Sequence, residues 1–148
     1  MRVLIQRVSR AEVRVDNRVE GRIGRGIVAL IGIASPDKPE DADYLADKIV
    51  HLRIFPDNAG KMNLSAIDTA CGLLLISQFT LYGDCRNGRR PGFDAAAPLE
   101  RARELYAYFV DKIRQTGLDT QTGVFQAHME VELINDGPVT FLLESPAR

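Results

Sequence analysis

Two apolar runs limit the architecture of this chain more than any other feature: IVALIGIA, from Ile27 to Ala34, and LLLISQFTLY, from Leu73 to Tyr82, which turns polar towards its end. A nearly uninterrupted apolar run of this length is the pattern of a strand buried on both faces. Each therefore belongs at the centre of a sheet that is covered on either side. Ahead of them, Val3 and Ile5, then Val13 and Val15, alternate with polar residues; Asn17 marks a turn and Val19 to Ile23 resumes the alternation, a meander of short strands.

Between the two runs, Ala42, Leu45, Ile49 and Leu52 recur at helical spacing, with Asp41 and Asp43 in the first turn, where the helix dipole favours acids. A second helix follows Pro98, with a stripe of Leu99, Ala102, Leu105, Tyr106, Phe109 and Ile113 and a stop at Gly117. That stripe is core. VFQAHMEVELI and VTFLLE, in the last third, alternate again and return to the sheet. The order of β-rich, helix, strand, helix and β-rich segments predicts one α+β domain over residues 1–148. Its sheet is mixed or mostly antiparallel, or barrel-like, with two main helices.

Composition narrows the function by exclusion. With 45% hydrophobic and 26% charged residues and a net charge of −1, the chain reads as an ordinary globular protein, with no overall nucleic-acid footprint and no stretch long enough to span a bilayer. The alternating MRVLIQRVSR reads as the first strand of a cytoplasmic protein. Cys71 and Cys85 form neither a disulfide framework nor a metal knuckle, and the carboxylates show no metal-ligand spacing. HExxH, GxSxG, P-loop, GxGxxG and paired CxxC motifs are missing. His51, on the polar side of the first helix, and His128, in an alternating strand, read as structural or surface histidines with no nucleophile beside them.

Three stretches keep a functional reading beside a structural one. Ser77-Gln78-Phe79-Thr80 closes a buried strand; its hydroxyls, amide and backbone N–H groups suit an oxyanion, or the hydroxyls simply bond to nearby backbone. CRNGRRPG gathers Arg86, Arg89 and Arg90, which grip phosphate or belong to a solvated loop. In ELINDGPVTFLLES, Asn-Asp-Gly is hairpin punctuation, so Gly137-Pro138 either turns the chain or forms a cis peptide that presents bare carbonyl groups.

Taken together, SQFTL (Ser77 to Leu81), the loop residues Gly88, Arg90, Pro91 and Phe93, TQTGVF (Thr120 to Phe125) and NDGPVTF (Asn135 to Phe141) resemble the D-aminoacyl-tRNA deacylases. IQRV (Ile5 to Val8) and GKMNLS (Gly60 to Ser65) fit the same family, and the matches run the length of the chain in family order. Gly92 departs from the usual serine, and Tyr82-Gly83 from the usual small residues; Gly92 puts one hydroxyl contact in doubt.

The resemblance implies a homodimer that cleaves the ester between a D-amino acid and the 3′-terminal ribose of tRNA, without cofactor or metal and without membrane or DNA as partner. It implies that Gly137-Pro138 is cis and enters the partner's site. There its carbonyls hold the α-amino group, and L side chains collide with it. Glycyl-tRNA then becomes a secondary substrate. Ser77, Gln78, Phe79 and Thr80 surround the scissile ester, with the Phe79 N–H facing the oxyanion and Gln78 positioning. Attack falls either to Thr80 or to a water helped by the neighbouring ribose hydroxyl. Arg86, Arg89 and Arg90 become phosphate contacts, with Lys61 and Arg7 as weaker ones, and Arg7 equally suits a structural pair at the dimer interface. Two rivals are a dimeric module that binds tRNA ends without cleaving them and a small-ester hydrolase with Thr80 as nucleophile.

Overall fold

The computed structural model describes residues 1–147. Its first strand, β1, runs without a break from Arg2 to Val15, where the sequence suggested short strands. Alternation carries it: Val3, Ile5, Val8, Ala11 and Val13 are all buried, so one face stays apolar along its length. Strand β2 (Arg18–Ile23) returns antiparallel against its second half, and β3 (Gly26–Gly32) against its first.

Strand β3 contains most of IVALIGIA and is buried almost throughout, as its pattern requires. It pairs in parallel with β6 (Gly72–Ser77), which pairs in parallel with β7 (Thr120–Thr122). Along the other edge of β1 lies the last strand, β8 (Glu130–Glu144). Gly21 of β2 sits so near β6 and β7 that a Cβ there would meet the Thr122 carbonyl at 2.7 Å and Leu74 at 3.2 Å, and the sheet curls into a nearly closed barrel. A small hairpin, β4 (Phe55–Pro56) and β5 (Met62–Leu64), stands apart from it.

Helices α1 (Pro39–His51) and α3 (Leu99–Arg114) cover one face of the sheet. Leu45 and Ile49 of α1, and Leu105, Phe109 and Ile113 of α3, are buried in the main core with Ile5, Ile27, Ile31, Leu73 and Leu75. A short helix, α2 (Ala66–Thr69), is closed by a capping box in which Ser65 and Asp68 exchange side-chain to backbone bonds. The curled inner face holds a second cluster of Val8, Ala11, Val13, Ile23, Val28, Leu74 and Ile76. No helix of the described residues is long and apolar enough to cross a membrane.

The α+β class and the barrel-like mixed sheet agree with the sequence. The two C-terminal runs do not form a hairpin, because both arms of β8 pair with the same strand, β1. LLLISQFTLY is strand only to Ser77. VFQAH is a turn and not strand, with Gln126 at a positive φ of 68°, so His128 lies outside β8.

Candidate active site

Strand β6 ends where the Gln78 N–H donates to the Ile31 carbonyl at 2.7 Å, the last rung between this chain segment and β3. Phe79–Tyr82 then coil into a single 3₁₀ turn, in which Leu81 N–H donates to Gln78 O at 3.2 Å. The first N–H groups of such a turn have no acceptor within it, so the Phe79 N–H is a donor available to a bound group.

What seats the turn is the absence of a side chain beneath it. A Cβ on Gly32 would lie 2.9 Å from the Leu81 Cβ and 3.2 Å from the Gln78 carbonyl, so only glycine lets the turn rest directly on β3. Arg2 holds the far side, donating to the Leu81 carbonyl at 3.1 Å, lying over the Tyr82 ring at 4.7 Å and pairing with Glu144 at 2.6 Å. Burial is the main cause that pushes the Tyr82 phenol above its ordinary range.

Within the turn, Gln78 Nε2 donates to Thr80 Oγ1 at 2.5 Å. Phe79 is 56% exposed, and its ring meets Phe93 edge to face at 5.0 Å, the geometry aromatic pairs prefer. Ser77, Gln78 and Phe79 border a cavity of about 520 Å³, whose walls are largely apolar, from Ile31, Ile33, Leu99 and Phe125 among others. A volume of this size suits one small organic group. His128 is the only ionisable side chain in that lining, a position that its reading as an alternating strand residue could not reveal.

Gly137-Pro138 does not border this cavity. The peptide bond between them is cis. The pair forms part of a bulge: Gln6 of β1 faces Thr140 while Val8 faces Asn135, so residues 136 to 139 are pushed out opposite Arg7 alone. Asn135 fastens its base, accepting from the Val139 N–H at 2.7 Å and donating to Thr140 Oγ1 at 2.9 Å and Gln6 Oε1 at 3.1 Å. Gly137 has φ +155°, and a Cβ there would meet Val139 Cγ2 at 2.5 Å.

Arg7 is the second fastening. Its Nε donates to the Asp136 carbonyl at 2.9 Å and its Nη1 to the Ile54 carbonyl at 2.6 Å, and the side chain is only 11% exposed. That commits Arg7 to the bulge and withdraws it from solvent as a phosphate contact. Neither Asn135 nor Arg7 advertises this role in the sequence, since the bulge exists only once β1 and β8 are in register.

The basic residues stand apart from the cavity. Asp84 and Gly92 bond each other's backbone, at 2.7 and 2.9 Å, and close the loop between them. Arg86 folds back on Asp84 through hydrogen bonds of 2.9 and 2.6 Å, and this guanidinium holds the Asp84 carboxyl well below the usual carboxylate range. Arg89 and Arg90 project to solvent, as does Lys61 at the tip of the β4–β5 hairpin. Space around Gly92 is open, so the serine usual there would fit without a clash. Cys71 is a buried thiol whose burial raises its pKa, which fits an inert structural role. The described residues contain no group of His, Cys, Asp or Glu placed to hold a metal ion.

Comparison with known proteins puts this geometry in context. The chain is 59% identical over 145 residues to the D-aminoacyl-tRNA deacylase of Koribacter versatilis, with 98% of this chain and 97% of that protein covered. It is 58% identical over 146 residues to that of Geotalea uraniireducens, with 99% and 94% covered. Among solved structures, one titled c-Myc DNA Unwinding Element Binding Protein superposes with a TM-score of 0.93 at 40% identity, covering 99% of this chain and 100% of that one. A probable eukaryotic D-amino acid tRNA deacylase superposes at 0.84 and 20% identity, a likeness of fold, over 97% and 98% of the two chains. The family profile described as D-Tyr-tRNA(Tyr) deacylase matches residues 4–144, and the chain belongs to that family.

Proposed function

We propose that this chain hydrolyses the ester linking a D-amino acid to the 3′-terminal ribose of tRNA, and that it does so as a homodimer whose two sites each combine a cavity from one protomer with a bulge from the other. The family supplies the reaction, and the geometry of the site supports the residue roles.

The observation that carries the dimer is one of distance. Along the sheet, the 136–139 bulge lies opposite Arg7, Arg7 faces Ile27, and Ser77 faces Ile31. Three strand spacings and four residues separate the two, roughly 20 Å across a regular sheet. Curling of the sheet shortens that path, yet within one protomer the dipeptide stays out of the lining of the cavity beside Ser77. A second copy removes the contradiction, and Val131, Ile134, Phe141 and Leu142 give β8 an exposed apolar surface on either side of the bulge for such a contact.

In this reading the cavity receives the terminal nucleoside, and the ester carbonyl lies against the Phe79 N–H. Water adds to the carbonyl carbon, and negative charge gathers on the oxygen facing that donor. The carbon–oxygen bond to the ribose then breaks, and the neighbouring ribose hydroxyl relays the proton from the attacking water to the leaving oxygen. Thr80 Oγ accepts a hydrogen bond from the Gln78 amide, and an amide supplies no base to activate a hydroxyl. This supports attack by water, with Gln78 and Thr80 positioning. Aminoacyl esters are intrinsically reactive, so orientation and one oxyanion donor leave little else for the protein to supply.

Chirality is then settled by backbone. Carbonyls from the partner's Gly137-Pro138 would hold the α-amino group and leave no room for a side chain on the L side, which rejects one hand while accepting many side chains. Glycine, with no side chain to collide, is accepted, so glycyl-tRNA is a second substrate. Arg89 and Arg90 would meet acceptor-end phosphates, with weaker roles for Lys61 and for Arg86, which Asp84 already engages.

The deciding experiment is deacylation of matched D-tyrosyl-tRNA and L-tyrosyl-tRNA by the purified protein, with chelator present as a control. Loss of the D ester with the L ester spared is the expected result. Survival of both esters while the tRNA still binds would make the protein a binding module; cleavage of both would overturn the backbone account of selectivity.

A further inference from the structure

The 520 Å³ cavity is not isolated. Phe125, which lines it, also lines a second, shallower cavity of about 230 Å³ between α3 and β7, so the two meet at one aromatic side chain. Arg103 and Arg114 of α3 border the second cavity with Tyr106 and Thr122. Arg103 lies over the Phe125 ring at 4.8 Å and donates to Gln126 Oε1 at 3.1 Å, which holds its guanidinium against two residues that line the first cavity.

Both arginines have charge to spare. Their nearest carboxylates, Glu100 for Arg103 and Asp111 for Arg114, stand at 3.9 and 4.0 Å, at the outer limit of an ion pair, and the side chains are 45% and 54% exposed. Asp111 also borders the cavity and is its one acidic side chain. Exposed pairs at such distances contribute little, so these carboxylates leave both guanidinium charges largely available to an incoming anion.

A concave strip that combines an aromatic face, a stacked guanidinium and a second cation has the chemistry of a track for single-stranded nucleic acid, in which bases stack and phosphates meet arginine. We propose that the strip from the first cavity across Phe125 to Arg103 and Arg114 binds the single-stranded RNA just upstream of the terminal nucleoside. The second cavity takes the penultimate nucleotide, and the two arginines take its phosphodiesters. The inference rests on the proposed function for the polarity of the strand, since it is the ester-bearing nucleoside that occupies the first cavity. It also separates two tasks: the loop of Arg89 and Arg90 would meet the acceptor stem, and α3 would guide the unpaired end.

The test uses the intact protein, the Arg103→Ala, Arg114→Ala double variant and the corresponding double lysine variant. Binding of uncharged tRNA is followed by fluorescence anisotropy across a salt series, and hydrolysis of D-tyrosyl-tRNA is compared with that of D-tyrosyl-adenosine, which has no upstream phosphodiester. The alanine variant should weaken tRNA binding about tenfold and flatten the plot of log Kd against log salt by about 0.7 for each phosphate that is no longer neutralised. The ratio of kcat/KM for the tRNA ester to that for the nucleoside ester should fall by a similar factor, and the lysine variant should recover most of both effects.

An unchanged salt slope, or equal losses on the two esters, would overturn the proposal. Should the unmodified protein hydrolyse neither ester while the variant still flattens the slope, the proposed reaction fails and the RNA track stands. If neither slope nor ratio moves while the D ester is cleaved, the reaction stands and the track fails.

Discussion

At the scale of single residues, the proposed site is built largely from backbone, and its side chains are assigned mainly to holding that backbone still. Gln78 and Thr80 bond to each other across the 3₁₀ turn, Asn135 braces the bulge, and Arg7 spans from the bulge to Ile54. Thr80 is the sharpest test of this division. Replacing a covalent nucleophile costs on the order of 10⁶ in kcat, whereas removing a positioning hydroxyl costs about tenfold or less. Thr80→Ala is therefore expected to keep at least about a tenth of the activity in single-turnover deacylation of D-tyrosyl-tRNA; a loss of several orders of magnitude would make Thr80 the nucleophile. At this scale SQFT and GPVT could be picked out of the sequence as candidates, since they are contiguous. Arg7 was not, because its partners are the carbonyls of Ile54 and Asp136, which name no side chain and lie 47 and 129 positions away.

At the scale of elements, α3 ties the helical layer to the sheet that carries the site. Tyr106 is buried and donates to the Leu75 carbonyl at 3.0 Å, on the strand that ends at Ser77, and its burial pushes the phenol up to about 12 from an ordinary 10.0. A phenol whose pKa is raised on folding contributes fully below its unfolded value and loses that contribution as pH rises through the folded one. Stability measured by urea denaturation should therefore fall between about pH 10 and 12, by on the order of 2 kcal/mol from this group, and Tyr106→Phe should make the fall shallower. Tyr82 acts in the same direction, so the decline is reduced and not abolished. The central strands and both long helices followed from periodicity and uninterrupted burial, which are local signals. Asn-Asp-Gly misled for an equally physical reason: the same residues favour a hairpin and a bulge, and only the partner strand decides. Here β1 pairs with both arms, which makes β8 one strand with an interruption. VFQAH alternates like strand, yet Gln126 takes a left-handed conformation and turns His128 towards the cavity border instead.

At the scale of the whole molecule, the proposed site is incomplete in one chain, and this has a measurable counterpart in solution mass. Sedimentation should return twice the 16.4 kDa of the chain. Asp substituted together at Ile134 and Leu142, which are 46% and 53% exposed in the protomer, should give a folded monomer with unchanged circular dichroism and little deacylase activity. A variant that stays dimeric, or a monomer that retains full activity, would remove β8 from the interface or the partner from the site. The bulge in that strand has a further consequence, for solubility. A straight strand of this length, with apolar side chains exposed and one edge unpaired, is a template on which further chains can stack indefinitely. Residues 136 to 139 break the row of free N–H and C=O groups near its middle, so two copies can meet there in one register but a growing ribbon cannot form. Deleting the bulge to leave a regular strand would on this view produce fibrous aggregate in place of a merely inactive enzyme.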